Sequence, residues 1–247
     1  MAATRIQLCG RMALELEGRR LDDALPGRQG KLLFAYLAVN RVRPVDRSEL
    51  VAVLWSEEPP AAAETTLSGV LSRLRHVLGE DALVGRAQPR LVLAADAWLD
   101  VEVATAAIHR AETAVATGDW GRAWMSGRIA LHVSRREFLS GFDGPWIDER
   151  RRVLQTIKAS ALECVGEAGL GLGGAELAAA ERSGRALIAC EPYRESGYRL
   201  LMPALETQGN VAAALTVYDE LRCRLRDELG TAPGTVTQAL HKQLLAG

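Results

Sequence analysis

The hydrophobic period of this chain changes near Asp96, and that change constrains the fold more than any other feature. Before it, short runs of period two stand among stripes of period 3.6. After it, the periodic stretches are helical, alanine-rich and joined by short connectors. The chain therefore divides into an α+β part, residues 1–95, and an all-α part, residues 96–247.

In the first part, Ile6 and Leu8 alternate with Arg5 and Gln7, and Leu14 and Leu16 alternate with Glu15 and Glu17. These runs predict two half-buried antiparallel strands, and a third near Arg20–Leu21 precedes the Pro26-Gly27 turn. Leu32, Leu33, Tyr36 and Leu37 then form one helical stripe that stops at Asn40. Asp46 and Glu49 have the spacing of a capping box for a second helix, with Leu50, Val51 and Leu54 inward. Pro59-Pro60 interrupts the chain before a third helix over 61–78, stopped by Gly79. Leu83–Val84 and Leu91–Leu93 predict a hairpin around a tip that carries Arg86, Pro89 and Arg90.

Strands, three helices and a hairpin are the order of a winged helix-turn-helix. In that architecture the third helix enters the major groove and the hairpin lies against the backbone or the minor groove. Leu67, Leu71, Leu74 and Leu78 give the third helix a core stripe. The face opposite holds Thr65, Thr66, Ser68, Gly69, Ser72, Arg73 and His76, small groups and an arginine that can approach base edges. From 65 to 90, Arg73, Arg75, Arg86 and Arg90 stand against Glu80 and Asp81, a small basic excess for contact with phosphate. Of 30 basic residues only Lys31, Lys158 and Lys242 are lysine. Arginine is the better donor for phosphate and base edges, although codon bias also produces such a ratio.

The second part predicts helices over 100–117, 119–134, 146–168, 174–190, 193–208, 210–229 and 233–246. Ala180, Leu187 and Pro192 fall close to a tetratricopeptide-like (TPR-like) pattern, and Ala214 follows Ala180 by 34 residues, with Tyr218 and Leu221 after it. Tyr198, Leu201 and Leu205 occupy inward positions, and Ala123, Gly127 and Ala130 suggest a fainter copy. Stacked helix pairs of this kind leave a concave surface. The glycines of GLGLGG, 169–174, follow no strand and predict a flexible helix–helix connection rather than a phosphate loop. The run Arg150–Arg152, behind Asp148 and Glu149, predicts a solvated helix face.

Composition narrows the function class. A net charge of −1 with 25% charged residues excludes a histone-like polycation and an acidic disordered tail. No apolar run reaches the ~18 residues of a membrane span, and the first residues lack a secretory pattern, so a cytoplasmic chain with no membrane partner is expected. The four cysteines (9, 164, 190, 223) form no C-x-x-C pair, and the four histidines (76, 109, 132, 241) have no metal or catalytic spacing. No enzyme, no cofactor and no metal site is expected.

The string GRQGKLLFAYLAVNRVRPVDRSELVAVLWSEEPPAAAETTLSGVLSRLRHVLGEDALV resembles the DNA-binding domain of the Streptomyces antibiotic regulatory protein (SARP) family, an OmpR-type winged helix. EFLSGFDGPWIDERR (137–151), LIACEPYRE (187–195) and VYDELRCRLRDELGTAPG (217–234) resemble the bacterial transcriptional activator domain. The resemblance implies a transcription activator, in a family tied to antibiotic biosynthesis. Such a protein binds direct repeats in double-stranded promoter DNA as at least a homodimer there, and recruits RNA polymerase holoenzyme. It places the DNA face on Thr65, Thr66, Ser68, Gly69, Ser72, Arg73 and Arg75, with Arg86 and Arg90 in the wing. It turns the loop of Glu57 and Glu58 toward polymerase. The family usually has a basic residue where this chain has Glu64, and a glycine-tyrosine pair where it has Gln88-Pro89-Arg90. The alternative is a scaffold that binds no DNA, with a degenerate winged helix and a TPR-like groove for a peptide or ligand.

Overall fold

The computed structural model describes residues 4–56 and 58–246. Contacts divide the chain into two compact units, 1–103 with 136–154, and 104–135 with 155–247. The first unit thus takes in a segment, 136–154, that lies well beyond the change of period at Asp96.

In the first unit, β1 (Arg5–Gln7), β2 (Ala13–Leu16) and β3 (Arg19–Arg20) form an antiparallel meander. A fourth strand, β6 (Trp98–Leu99), pairs parallel with β1, giving the order β3-β2-β1-β6. Its two residues are too few to show a period, which is why alternation alone does not predict it. Asp100 follows at once, with no exposed surface. Its Oδ2 accepts from the Leu8 amide (2.9 Å) and the Cys9 amide (2.8 Å), beyond the end of β1. Burial holds its carboxyl above the usual carboxylate range despite these donors.

Three helices follow the meander: α1 (Gly27–Val39), α2 (Arg47–Trp55) and α3 (Ala63–Leu78). Leu33, Phe34, Leu37, Leu50, Leu67, Leu71 and Leu74 are fully buried in this unit. Leu78, at the end of the expected stripe, is only half-buried. The capping box at α2 forms, with the Asp46 amide donating to Glu49 Oε1 at 3.3 Å. Glu49 also takes two bonds from Arg43, at 3.0 and 2.7 Å, and one from the Tyr36 hydroxyl at 3.0 Å. The Arg43 guanidinium pulls the Glu49 carboxyl down to about 2. The hairpin is β4 (Leu83–Val84) with β5 (Arg90–Leu91).

The segment 136–154 closes the first unit. Cys9 bridges Phe138, and the Leu139 amide donates to the Leu8 carbonyl at 2.9 Å. Trp146 meets Tyr36 and Phe138 edge-on, with ring centroids 5.1 and 5.8 Å away. Arg151 is not the solvated residue its charge run suggests. Its guanidinium donates to the carbonyls of Phe138 (3.1 Å) and Phe142 (2.8 Å) and pairs with Glu137 at 3.1 Å. A bend rich in free carbonyls needs a multi-donor side chain, and arginine has five N–H groups.

The remaining helices are α4 (Asp100–Ala116), α5 (Trp120–Ser134), α6 (Pro145–Leu172), α7 (Leu177–Cys190), α8 (Glu195–Thr207), α9 (Val211–Leu229) and α10 (Thr235–Ala246). A 3-10 turn at Gly174–Glu176 leads into α7. Gly169 and Gly171 lie inside α6, not in a flexible connection. A Cβ on Gly171 would stand 2.5 Å from the Trp120 ring, and one on Gly169 would stand 2.8 Å from the Glu176 carbonyl. These glycines let neighbouring elements approach, which outweighs their low helix propensity. Ala123, Ala130, Ala180, Leu187, Ala214 and Leu221 are buried, as are Tyr198, Leu201, Leu205 and Tyr218. Tyr218 stacks on His241 with centroids 3.8 Å apart. On the far face of α9, Arg222 pairs with Asp219 at 3.0 Å and Arg226 with Asp227 at 2.7 Å.

Candidate nucleic-acid interface

The helix α3 owes its placement to leucine spacing. Ala63, Leu67, Val70, Leu71 and Leu74 turn inward, and this leaves Thr65, Ser68, Gly69, Ser72 and Arg73 exposed on the opposite side. Thr66 is half-buried at the edge of that face. Arg73 makes one weak contact to its own helix, from Nε to the Gly69 carbonyl at 3.3 Å. Among the described residues no ion pair engages Arg73, Arg86 or Arg90.

Hydrogen bonds fix the hairpin to α3 and to the residues that begin α2. Arg75 Nε donates to the Leu83 carbonyl (3.2 Å) and Arg75 Nη2 to the Gly85 carbonyl (2.6 Å). The Val45 amide donates to the Pro89 carbonyl at 3.0 Å. Gln88 Nε2 donates to Asp46 Oδ1 at 2.8 Å, so the residue that caps α2 also holds the wing tip. Gly85 has φ +78°, and a Cβ there would lie 2.3 Å from the Gln88 carbonyl oxygen, so the turn requires glycine. Arg86 and Arg90 are exposed on this anchored hairpin.

Two of the expected contact residues are engaged within the protein. Arg75 is half-buried and holds the wing, rather than standing free beside Arg73. Ser68 Oγ donates to the Glu64 carbonyl and accepts from Arg47 Nη2, each at 2.8 Å. Sequence reasoning missed Arg47. It lies on α2, and both its Nε and its Nη2 reach Glu64 Oε2, at 2.9 and 2.8 Å. Its Nη1 donates to the Arg86 carbonyl at 3.4 Å. The available signal was the unlike charge of Arg47 and Glu64, but their 17-residue separation is not a helical spacing. Glu58 is exposed beside Pro59-Pro60, while Glu57 lies outside the described residues.

No group of three or more histidine, cysteine or acidic side chains among the described residues is placed to hold a metal ion. Among the described residues no helix is long and apolar enough to cross a membrane.

A small sheet, three helices and an anchored hairpin, followed by helices alone, place the chain in the class of winged-helix proteins with a helical C-terminal part. Residues 99–245 match the family model of the bacterial transcriptional activator domain. The chain belongs to that family, among the SARP-type transcriptional regulators. It is 34% identical over 244 residues to the regulatory protein AfsR of Streptomyces coelicolor, covering 98% of this chain and 24% of AfsR. It is 29% identical over 253 residues to the transcriptional regulatory protein EmbR of Mycobacterium tuberculosis, covering 96% of this chain and 62% of EmbR. The chain thus spans about a quarter of AfsR and three fifths of EmbR. A solved structure of Mycobacterium tuberculosis EmbR in complex with a low-affinity phosphopeptide superposes with a TM-score of 0.84. That likeness covers 98% of this chain and 65% of the EmbR chain at 24% identity, and it shows the fold.

Proposed function

We propose that the chain is a sequence-specific, DNA-binding transcription activator that acts from the cytoplasm on promoter DNA. The observation that carries this reading is the exposed face of α3, on which Thr65, Ser72 and Arg73 are open to solvent beside a hairpin held by Arg75 and Gln88. Arg73 has the geometry for a guanine, and the threonine methyls for thymine. Arg86 and Arg90 supply phosphate contacts from the wing. Thr66, Ser68 and Gly69 complete the contact face, Ser68 through its bond to Arg47.

The basic excess is small, so one winged helix makes few phosphate contacts and binds weakly at physiological salt. Two copies on direct repeats add their contacts, and the helical part, read as TPR-like pairs, holds the copies together. Glu58, with Glu57 before it in the sequence, offers negative charge to a basic surface of RNA polymerase. The test is a mobility shift with promoter DNA at two salt concentrations. A specific complex that weakens with salt is expected.

One observation favours the scaffold reading. Arg185, Ile188, Leu201, Leu205, Val217 and Glu220 line a groove of about 430 Å³ among α7, α8 and α9, within the size range of ligand sites. If the same mobility shift gives no complex with any DNA, the groove becomes the functional surface.

A further inference from the structure

Glu64 sits at the start of α3, with its side chain 63% exposed on the face proposed to meet DNA. A lone carboxylate there repels phosphate. This one is not alone. Arg47 Nε and Nη2 both bind its Oε2, at 2.9 and 2.8 Å. The same guanidinium also donates to the Glu64 carbonyl (3.3 Å) and to Ser68 Oγ (2.8 Å). Ser68 in turn donates to the Glu64 carbonyl at 2.8 Å. The arginine is itself only 27% exposed, so it is held by packing as well as by its acceptors. An isolated surface ion pair contributes little order, but a shared network of this kind fixes a side chain in place. The pair is locally neutral, and Glu64 Oε1 accepts no hydrogen bond among the described residues.

From this geometry we infer that Glu64 is a specificity-determining residue that reads cytosine, with Arg47 as its positioning partner. The inference rests on the proposed DNA-binding role of α3. In the major groove a carboxylate oxygen can accept from the exocyclic amino group of cytosine, and guanine and thymine offer it only acceptors. Adenine also presents an amino group, but its N7 lone pair stands beside it and repels the carboxylate. Recognition helices use their N-terminal residues for base edges, which is where Glu64 lies. Arg47 does two things there. It cancels the charge that would repel the phosphates, and it engages Oε2 so that Oε1 is the oxygen left open.

The test selects DNA from a random pool with the full chain and sequences what is bound, for the native protein, Glu64→Ala and Glu64→Gln. The native protein is expected to enrich a motif with cytosine favoured roughly tenfold at one position. Glu64→Ala should lose the preference at that position alone. Glu64→Gln should move it to a base with an acceptor there, guanine or thymine, because the glutamine oxygen takes over the Arg47 bonds and leaves its amide NH2 as the open group. If both variants enrich the native motif unchanged, Glu64 reads no base and the inference is overturned while DNA binding stands. If the native protein enriches no motif, the proposed function falls and this inference with it.

Discussion

Arg75 Nη2 donates to the carbonyl of Gly85 at 2.6 Å, and through this bond α3 holds the turn of its own wing. The Arg75 Nε bond to Leu83 adds a second tie at 3.2 Å. An arginine that the family resemblance places beside Arg73 as a DNA contact is thus committed to the frame on which Arg86 and Arg90 stand. Arg75→Ala should lower stability by about 1–2 kcal/mol, as both charge-assisted bonds are lost from a half-buried site. It should weaken specific and random DNA to a similar degree, because it displaces the wing rather than a base contact. Denaturant unfolding and a competition mobility shift measure the two effects.

Asp100 should be more costly to remove. Its Oδ2 serves the amides of Leu8 and Cys9 in a site without solvent. Asp100→Ala leaves both donors unpaired, and a loss of about 2–4 kcal/mol is expected. Asp100→Asn keeps one acceptor and should recover part of it. Urea unfolding of the full chain reads both. Equal stability of native protein and Asp100→Ala would show that the amides find other partners.

Acid should loosen the start of α2. The Glu49 carboxyl lies near 2 in the fold against an ordinary 4.5, chiefly through Arg43. The unfolded chain therefore binds this proton first as pH falls. The stabilisation is present above about pH 4.5 and drains away from there toward pH 2. Glu49→Gln should be less stable than the native protein at neutral pH, and the gap should narrow across that window. Thermal melts at several pH values would show it.

The acidic loop gives a separate prediction for activation. Reversing the charge of Glu57 and Glu58 together should reduce transcription from a bound promoter and leave occupancy intact. In vitro transcription beside footprinting distinguishes the two. A parallel loss of occupancy would mean that the loop serves the fold alone.

Much of this architecture was legible in the residues. The leucines at 67, 71 and 74 fix which side of α3 is buried, and Asp46 with Glu49 marks the start of α2, because local spacing carries the physics in both cases. What was not legible depends on distant pairing. β6 is two residues long and exists because Trp98 and Leu99 find β1 some ninety residues earlier. Arg151 reads as one of three exposed arginines until the carbonyls of Phe138 and Phe142 surround it. Gly169 and Gly171 read as a flexible link because a sequence cannot show Trp120 pressing on a helix. At the candidate interface the exposed positions of α3 followed from its period. The Arg47–Glu64 pair did not, since it joins two helices across a turn.

Tandem binding can be tested with the DNA alone. Copies in one orientation must share a face of the duplex, so half-site centres should lie about 10–11 base pairs apart. Inserting half a turn between them should abolish tight binding by the full chain. Equal affinity for a single half-site would contradict the paired arrangement.

The most direct measurement is the ratio of specific to random DNA binding for the full chain and for Arg73→Ala. Arg73 lies on the exposed face of α3 and has no ion-pair partner among the described residues. If that face reads bases, Arg73→Ala lowers the ratio by roughly 5- to 150-fold, a loss of ~1–3 kcal/mol in specific binding. Arg86→Ala, from the wing, lowers both affinities and keeps the ratio. A ratio unchanged by Arg73→Ala would contradict the account, because α3 would then not be the element that selects the sequence.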